Sequence, residues 1–315
     1  MKLLNCVLSY NRYYYLRNTV ESLLEYFRFG DTLVVDDGSS DPRLTAYLAD
    51  LARRGIAVAR REREPGAAQA KHGGLYANMD LGVERAAAGG YDYVQFIQDD
   101  VQFLWHDPAV LEKTERIFRA LSDCSLVENI FFNAIVRGVV EKRVELVPEA
   151  NCYHRRPHGM LDQGIAPVSL IQRMGFRFAS GNEGANSKWW RQRGYRTYRL
   201  HSPSMAFVPW PATLRHSQQA SEGLAPPERY YLKPLTDVQV RRLTDRPLSE
   251  LPFAEDYCEP WGWTCPKPYW YGPDLRGYEH SLHRIRHGWL RRLRALGRAA
   301  LPPFLRRRIK GLVGK

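Results

Sequence analysis

Two adjacent carboxylates, Asp99 and Asp100, follow the apolar run at residues 93–97. Side by side at the end of a buried strand they would repel each other, and the usual remedy is a hard divalent cation such as Mg²⁺ or Mn²⁺. Such a cation most often serves a bound phosphate. The pair is also compatible with a solvated turn, because Asp is disfavoured in strands and common in loops.

Other polar clusters also follow predicted strands. Apolar runs predict strands at residues 3–9, 32–35, 56–59 and 93–97, and helical spacing predicts helices at 16–27, 44–51 and 67–88. Strands that alternate with helices in this way indicate right-handed βαβ units and a parallel sheet, whose ligands bind beyond the carboxyl ends of the strands. The clusters Ser9-Tyr10-Asn11-Arg12, Asp36-Asp37-Gly38-Ser39-Ser40 and Gln98-Asp99-Asp100 should therefore meet at one edge of the sheet.

The rest of the chain divides by composition. A further helix is predicted at residues 110–121 and strands at 130–135 and 139–147. Beyond about residue 220, Pro, Trp and Tyr become frequent, which indicates an irregular extension wrapped on the core. We expect one domain at 1–220, this extension at 221–280 and a basic tail at 281–315. A chain of 315 residues that is 44% hydrophobic can bury a full core.

These motifs resemble glycosyltransferase family 2, inverting enzymes of the GT-A fold that use nucleotide-diphosphate sugars. The resemblance spans roughly residues 3 to 200. Its most specific part is Val34-Val35-Asp36-Asp37-Gly38-Ser39-Ser40-Asp41, which is similar to the family's Val-Asp-Asp-Gly-Ser-x-Asp loop. The segment Val7-Leu8-Ser9-Tyr10-Asn11-Arg12 looks like the family's opening strand, with Leu8 and Ser9 where Pro and Thr are usual. The implied fold class is α/β, a Rossmann-like, mostly parallel sheet flanked by helices, followed by the irregular extension and an amphipathic tail helix.

The resemblance implies a nucleotide-sugar site. Its expected donor-binding residues are Ser9, Asn11, Arg12, Asp36, Asp37, Lys71 and Asp99. Lys71 stands at a predicted helix start, where a cation suits two phosphates, and the alternative is a solvated surface lysine. Asp100 would hold Mg²⁺ or Mn²⁺ through the diphosphate oxygens, with His216, or alternatively His201, as a third ligand. Gln98 replaces the first acid of the family's metal motif, which would weaken metal binding.

The resemblance also implies a catalytic base. Counted back from Gly194-Tyr195, Asn182 and Glu183 occupy the family's Glu-Asp positions, so Glu183 would remove the proton from an acceptor hydroxyl. Either residue could instead cap the first turn of a helix. Trp189 and Trp190 would frame the acceptor sugar or pack in the core.

Positive charge is concentrated in the tail. Residues 281–315 hold 11 of the 46 Lys and Arg residues and no Asp or Glu, and they explain most of the net charge of +12. Apolar residues from Leu282 to Ala300 fall at steps of three and four, as in a basic amphipathic helix. Such a helix would lie on an anionic membrane and bring the enzyme to a lipid-linked acceptor; nucleic-acid binding and a solubilising tail compete with this interpretation. No partner nucleic acid is expected.

The remaining features bear on the cellular location and the function of the protein. Five scattered cysteines favour reduced thiols, although Cys258 and Cys265 could pair. Without a signal peptide or membrane span, the expected location is cytoplasmic, peripheral on the inner face of the plasma membrane. The expected function is metal-dependent inverting transfer from a nucleotide sugar, mainly a UDP-sugar, to a glycan or lipid-linked acceptor in polysaccharide biosynthesis. The alternatives are a degenerate nucleotide- or sugar-binding module and a sugar nucleotidyltransferase, whose Gly-rich phosphate loop is absent from residues 9–13.

Overall fold

A nine-stranded sheet forms the centre of the molecule. The computed structural model describes residues 2–61, 74–132, 140–156, 158–160, 162–179, 182–208 and 232–259. The strands are β1 (Leu3–Ser9), β2 (Asp31–Asp36), β3 (Ala57–Arg60), β4 (Tyr93–Gln98), β5 (Val101–Phe103), β6 (Cys124–Glu128), β7 (Val144–Val147), β8 (Cys152–Arg155), β9 (Gly164–Pro167), β10 (Arg196–Leu200) and β11 (Met205–Phe207). The helices are α1 (Tyr13–Tyr26), α2 (Pro42–Arg53), α3 (Leu75–Ala88), α4 (Val110–Ala120), α5 (Val168–Arg173), α6 (Glu183–Arg191), α7 (Asp237–Asp245) and α8 (Ala254–Tyr257), with a 3-10 turn at Pro148–Ala150.

The strand order places the polar clusters together. The sheet runs β3-β2-β1-β4-β9-β6-β10-β8-β7, and the first four strands pair in parallel. Ser9 is opposite Asp36 in the register of β1 and β2, while Leu8 is opposite Gln98 in that of β1 and β4. The clusters that follow these strands therefore share one edge of the sheet, as expected. This arrangement confirms the predicted α/β class with a mostly parallel sheet.

The second half of the sheet is mixed. Strand β9 is antiparallel to both β4 and β6, so it brings the chain back between two strands of the main direction. Strand β10 is parallel to β6 and antiparallel to β8. A smaller sheet pairs β5 with β11 in antiparallel register directly after the end of β4.

Helices cover both faces of the large sheet. Residues of β1 alternate between two apolar layers: Leu3 and Val7 pack with α1, α2 and α4, and Cys6 and Leu8 pack with α3, α5 and α6. Strands buried on both faces are rich in apolar residues, which is why the sequence predicts β1 and β4. At Gly82 of α3 an added Cβ would lie 2.6 Å from Cys6 Sγ, so a glycine permits the close approach of this helix to β1.

Two predicted strands differ from the structure. Instead of a strand at 130–135, strand β6 lies earlier, at Cys124–Glu128, and Ile130 and Phe132 form isolated bridges. The strand predicted at 139–147 begins only at Val144, because the chain turns before that residue. Helix α3 begins at Leu75, whereas the helix was predicted from residue 67; residues 62–73 lie outside the described part.

Part of the predicted extension packs on the core. Leu232, Leu235 and Tyr257 join a buried apolar cluster with Trp105 and Phe131. The domain boundaries stay a prediction, and the tail at 281–315 lies outside the described residues, as does Cys265. In the part of the chain that the structure describes, no helix is both long and apolar enough to cross a membrane.

Candidate active site

An arginine lies on the paired carboxylates at the end of β4. Arg12 Nη1 is 3.1 Å from Asp99 Oδ1 and 3.6 Å from Asp100 Oδ2. Thr19 of α1 supports the turn from below, because its hydroxyl contacts the carbonyl oxygens of Asp99 and Val101 at 2.9 and 2.7 Å. Burial raises the pKa of Asp99 to about 6 even though Arg12 opposes the shift, and burial also raises the pKa of Asp100. The turn therefore holds two carboxyl groups that need a cation to remain ionised.

The donor set of this turn fits a hard divalent cation. Asp100 Oδ1 is buried and has no hydrogen-bond partner among the described residues. Within that same part of the chain, no three His, Cys, Asp or Glu side chains are grouped so that they could hold a metal ion. Mg²⁺ commonly binds through one or two carboxylates together with substrate phosphates, so a pair of aspartates is sufficient if a diphosphate supplies the other oxygens.

The loop after β2 is joined to the loop after β1 by Asn11. Asn11 adopts the left-handed conformation, with φ of 49°, which Asn tolerates better than most residues. Its Oδ1 accepts from the backbone N–H groups of Ser40 and Asp41 at 2.8 and 3.1 Å, and its own N–H donates to Ser39 Oγ at 2.8 Å. Asn11 thus positions the two expected nucleoside-binding loops relative to each other.

The two aspartates of the β2 loop have different partners. Asp36 is buried and accepts from the backbone N–H of Ser39 at 2.9 Å and from the Ser39 hydroxyl, so it stabilises its own loop. Asp37 Oδ2 accepts from the backbone N–H of Gly74 at 2.8 Å, just before α3. An added Cβ at Gly74 would lie 1.9 Å from Asp37 Oδ1, so only glycine permits this contact. Ser9 is buried at the end of β1 beside this loop.

Glu183 is the first residue of α6 and is exposed. The helix is capped by the preceding residue, because Asn182 Oδ1 accepts from the backbone N–H of Ala185 at 2.9 Å. The capping role is therefore performed by Asn182. A negative charge at the first position of a helix is favoured by the helix dipole, so Glu183 suits the start of α6.

The structure adds Asp162, a carboxylate that our sequence analysis missed. Burial, and then the negative charge of Glu183 and of Asp100, raise the pKa of Asp162 to about 7. Asp162 is therefore within electrostatic range of both Asp100 and Glu183. The only local signal was the Asp-x-Gly pattern that ends at Gly164, a residue with φ of 130° at the start of β9.

Other expected residues are not brought into this group. His201 is buried, and both ring nitrogens are already hydrogen-bonded, Nδ1 to Ser202 Oγ at 2.9 Å and Nε2 to the carbonyl oxygen of Arg246 at 3.1 Å. His201 is thus not directed toward Asp100 as a metal ligand. Trp190 is a core residue, while Trp189 is half-buried with Arg193 3.7 Å above its ring.

Lys71 and His216 lie outside the described residues. The chain leaves the described part after Val208, whose backbone N–H donates to the carbonyl oxygen of Asp100 at 2.8 Å. His216 follows eight positions later in the sequence. Its role as a metal ligand stays a prediction, as does that of Lys71 at the diphosphate.

Fold and site together define an α/β protein with an acidic site at the carboxyl edge of its parallel strands. Residues 6–122 match the family model "Glycosyl transferase family 2", and the matched segment runs from within β1 to just beyond α4 and contains Asp99-Asp100. The match agrees with the resemblance noted in the sequence. No curated protein sequence matches the chain.

Similar solved structures include three that contain a nucleotide or a nucleotide sugar. S. aureus TarS 1-349 in complex with UDP-GlcNAc has 18% identity and a TM-score of 0.45, over 65% of this chain and 58% of that one. The mannosyltransferase PcManGT from Pyrobaculum calidifontis, with GDP-Man and Mn²⁺, has 16% identity and a TM-score of 0.46, over 71% and 63%. GalNAc-T7 with UDP, GalNAc and Mn²⁺ has 11% identity and a TM-score of 0.45, over 65% and 43%. The chain spans 61% of the length of another TarS 1-349 structure, with a TM-score of 0.46.

Proposed function

We propose that this protein is a glycosyltransferase that moves a sugar from a nucleotide-diphosphate sugar, most simply a UDP-sugar, to a hydroxyl group with inversion. The observation that carries this proposal is the convergence of the Asp36-Asp37 loop and of Asp99-Asp100 on one edge of the parallel strands. The family match over residues 6–122 supports the same class of reaction. Nucleotide, diphosphate, sugar and acceptor would then lie in that order along the edge.

The chain's own residues would perform distinct steps. The β1 and β2 loops, joined by Asn11, bind and orient the nucleoside. Arg12 and Asp99 fix the position of Asp100 beside the diphosphate. Glu183 accepts the proton of the attacking hydroxyl, which then bonds to the anomeric carbon as the bond to the diphosphate breaks on the opposite face. The product has inverted configuration because the two events occur on opposite faces in a single step.

Mg²⁺ or Mn²⁺ would be held by Asp100 and by the diphosphate oxygens. The cation supplies compensation for the charge that develops on the leaving diphosphate. Gln98 contributes no charge to this site, so we expect weaker metal binding than in a site with a further carboxylate.

The test has two stages. First, UDP, GDP and their sugar derivatives are screened with and without Mn²⁺ for thermal stabilisation, which identifies a donor. Turnover is then measured for Glu183→Gln and Asp100→Ala. Loss of a general base lowers turnover by about 10²–10⁴-fold. Glu84→Gln is the matched control, because Glu84 is an exposed helix residue paired with Arg177 at 2.6 Å. Wild-type turnover in Glu183→Gln or Asp100→Ala would remove these assignments.

A second candidate is a nucleotide- or sugar-binding module without transferase activity. Gln98 in place of an acid and Glu183 in place of the usual Asp favour it. Hydrolysis of a bound nucleotide sugar by the wild-type protein, lost in Asp100→Ala, would exclude this candidate, whereas donor binding without any hydrolysis or transfer would support it.

The proposed acceptor is a glycan or a lipid-linked sugar at an anionic membrane surface, to which the basic residues 281–315 would bind. This part of the proposal rests on sequence alone. Co-sedimentation with phosphatidylglycerol vesicles is expected for the full chain and not for a chain ending at residue 280. Equal sedimentation of both proteins would contradict it.

A further inference from the structure

Gln102 joins strand β5 to the C-terminal part of the chain. It follows Asp100 by two positions, lies in the three-residue strand β5 and is fully buried. Its side-chain amide contacts the main chain of Leu232 twice. Nε2 donates to the carbonyl oxygen at 2.7 Å, and Oε1 accepts from the backbone N–H at 2.9 Å. The contact therefore ties a residue 130 positions away to the strand that follows the paired carboxylates.

The orientation of this amide is fixed by its partners. Asn18 of α1 donates from Nδ2 to Gln102 Oε1 at 3.4 Å, so this oxygen accepts from two donors while the nitrogen faces a carbonyl oxygen. Leu232 is itself buried, and its N–H and C=O groups have no water close by to replace the amide. Because buried backbone groups need hydrogen-bond partners, a side chain without an amide at position 102 would weaken this junction.

The turn before β5 is supported from several parts of the chain. The carbonyl oxygens on either side of Asp100 contact the Thr19 hydroxyl of α1, and its own carbonyl oxygen accepts from the backbone N–H of Val208 at 2.8 Å. Strand β5 has three residues and pairs with β11 in a two-stranded sheet. For so short a strand, the contact of Gln102 with Leu232 is a substantial part of what fixes its position.

Leu232 is a firm anchor because the chain after it is packed. The backbone N–H of Leu235 donates to the carbonyl oxygen of Leu104 at 2.8 Å, one position after β5. These three leucines belong to one buried apolar cluster. A displacement of residues 232–259 would therefore be transmitted to β5, and the amide of Gln102 is the contact nearest to the carboxylates.

We propose that Gln102 is a positioning residue, which sets the place of Asp100 by coupling residues 232–259 to the turn. This inference rests on the proposed function and deepens it, because it makes the cation site depend on the C-terminal part of the chain. Coupling between two sites is reciprocal. The contact between Gln102 and Leu232 should therefore become stronger when Asp100 binds a cation.

The first measurement is the affinity for Mn²⁺. It is titrated by calorimetry into wild type and Gln102→Met, each saturated with UDP or GDP, whichever the donor screen selects. Methionine keeps the length of the side chain and removes the amide. Loss of a residue that orients a metal ligand lowers metal affinity about 10–100-fold, and we expect a loss in this range. Affinity for the nucleotide without Mn²⁺ should stay unchanged, because the described partners of Gln102, Asn18 and Leu232, lie outside both nucleoside-binding loops.

The second measurement is hydrogen exchange, which needs neither turnover nor a variant. In wild type, Mn²⁺ together with the nucleotide should slow the exchange of the Leu232 N–H group, as the reciprocal coupling requires. In Gln102→Met this slowing should be lost.

Asn5→Leu is the matched control. Asn5 also carries a buried side-chain amide that donates to a main-chain carbonyl oxygen, that of Phe29 at 2.7 Å, but it lies in the middle of β1, away from the turn. This variant should lose stability without a change in Mn²⁺ affinity. Thermal unfolding of each variant verifies that it is folded.

The failure of each proposal gives a different result. Unchanged Mn²⁺ affinity in folded Gln102→Met, or an equal loss in Asn5→Leu, would overturn the positioning role and leave the proposed function intact. If Gln102→Met does not fold, the exchange measurement on wild type decides, and exchange at Leu232 that ignores Mn²⁺ would overturn the role. A wild-type protein that binds none of Mn²⁺, UDP and GDP would overturn both proposals. Loss of Mn²⁺ affinity in Gln102→Met alone, with nucleotide affinity retained, supports the assignment.

Discussion

The contact of Arg12 with Asp99 and Asp100 predicts that a divalent cation and this guanidinium compete for the same carboxylates. The substitution Arg12→Gln keeps a polar side chain and removes the charge that lies 3.1 Å from Asp99 and 3.6 Å from Asp100. Removing one partner of a buried ion pair costs about 3–5 kcal/mol. Because the Arg12 side chain is 25% exposed, water screens part of this loss, and we expect about 1–3 kcal/mol.

The expected loss should depend on pH. Burial raises the pKa of Asp99 to about 6, above the value of about 3.9 in an unfolded chain. The folded protein therefore takes up a proton as the pH falls through about 6, which relieves the repulsion. The difference in free energy of unfolding between wild type and Arg12→Gln should be largest near pH 7.5 and smaller near pH 5.

The assay is denaturant unfolding of both proteins at the two pH values, with and without Mn²⁺. Mn²⁺ should stabilise Arg12→Gln more than wild type, because the cation no longer competes with a guanidinium. Arg53→Gln is the control, since its ion pair with Asp50 is exposed and worth little. A variant as stable as wild type at pH 7.5, or one whose response to Mn²⁺ is unchanged or smaller, would refute the competition.

Three further outcomes follow from the site. Gly74→Ala forces Asp37 to move, because the new Cβ would lie 1.9 Å from Asp37 Oδ1. Affinity for UDP should then fall at least about tenfold, as measured by calorimetry. An unchanged affinity would show that Asp37 does not contribute to nucleotide binding. The pKa of Asp162 is raised to about 7, so the folded protein takes up a proton there before the unfolded chain does as the pH falls. The free energy of unfolding of wild type should therefore rise by about 1–3 kcal/mol relative to that of Asp162→Asn between pH 8 and pH 5, as measured by denaturant titration. A difference in free energy that does not change with pH would contradict this. Binding of UDP and of Mn²⁺ should strengthen each other by the same factor, and calorimetry in either order of addition should show it.

The parallel half of the fold was accessible from the sequence because its signals are local. Strands β1 and β4 are buried on both faces, so each is mainly apolar, with a single polar residue, Asn5 or Gln95, before its end, and the polar residues after them stand out. Strand β6 was missed for the opposite reason. It contains the buried Glu128, whose charge is balanced by Arg199 of β10 at 2.9 Å, 71 positions away. Within the local sequence, a five-residue strand with Ser125 inside it and Glu128 at its end does not stand out as an apolar run.

The sequence likewise predicts the site residues that have local signals. Asp99 and Asp100 adjoin in sequence, and Glu183 was identified by its distance from Gly194-Tyr195. Asp162 has no such local context, because its position depends on the register of β9 against β4. Asn11 illustrates an intermediate case: its place after β1 was evident, but its action on the backbone of the next loop depends on the pairing of β1 with β2.

Charge is the property that connects these observations. Asp99 and Asp100 follow β4, and the negative charges of Asp100 and Glu183 both act on Asp162, while a nucleotide diphosphate is itself an anion. Burial already raises the pKa of three of these carboxyls, so the site opposes further negative charge. If an anionic donor binds at this edge, positive charge must accompany it, and Asp100 Oδ1 is buried without a hydrogen-bond partner among the described residues. Without a donor, Arg12 offsets the negative charge of Asp99 and Asp100. Because Arg12 would compete with the cation for these carboxylates, donor binding would depend on their protonation state.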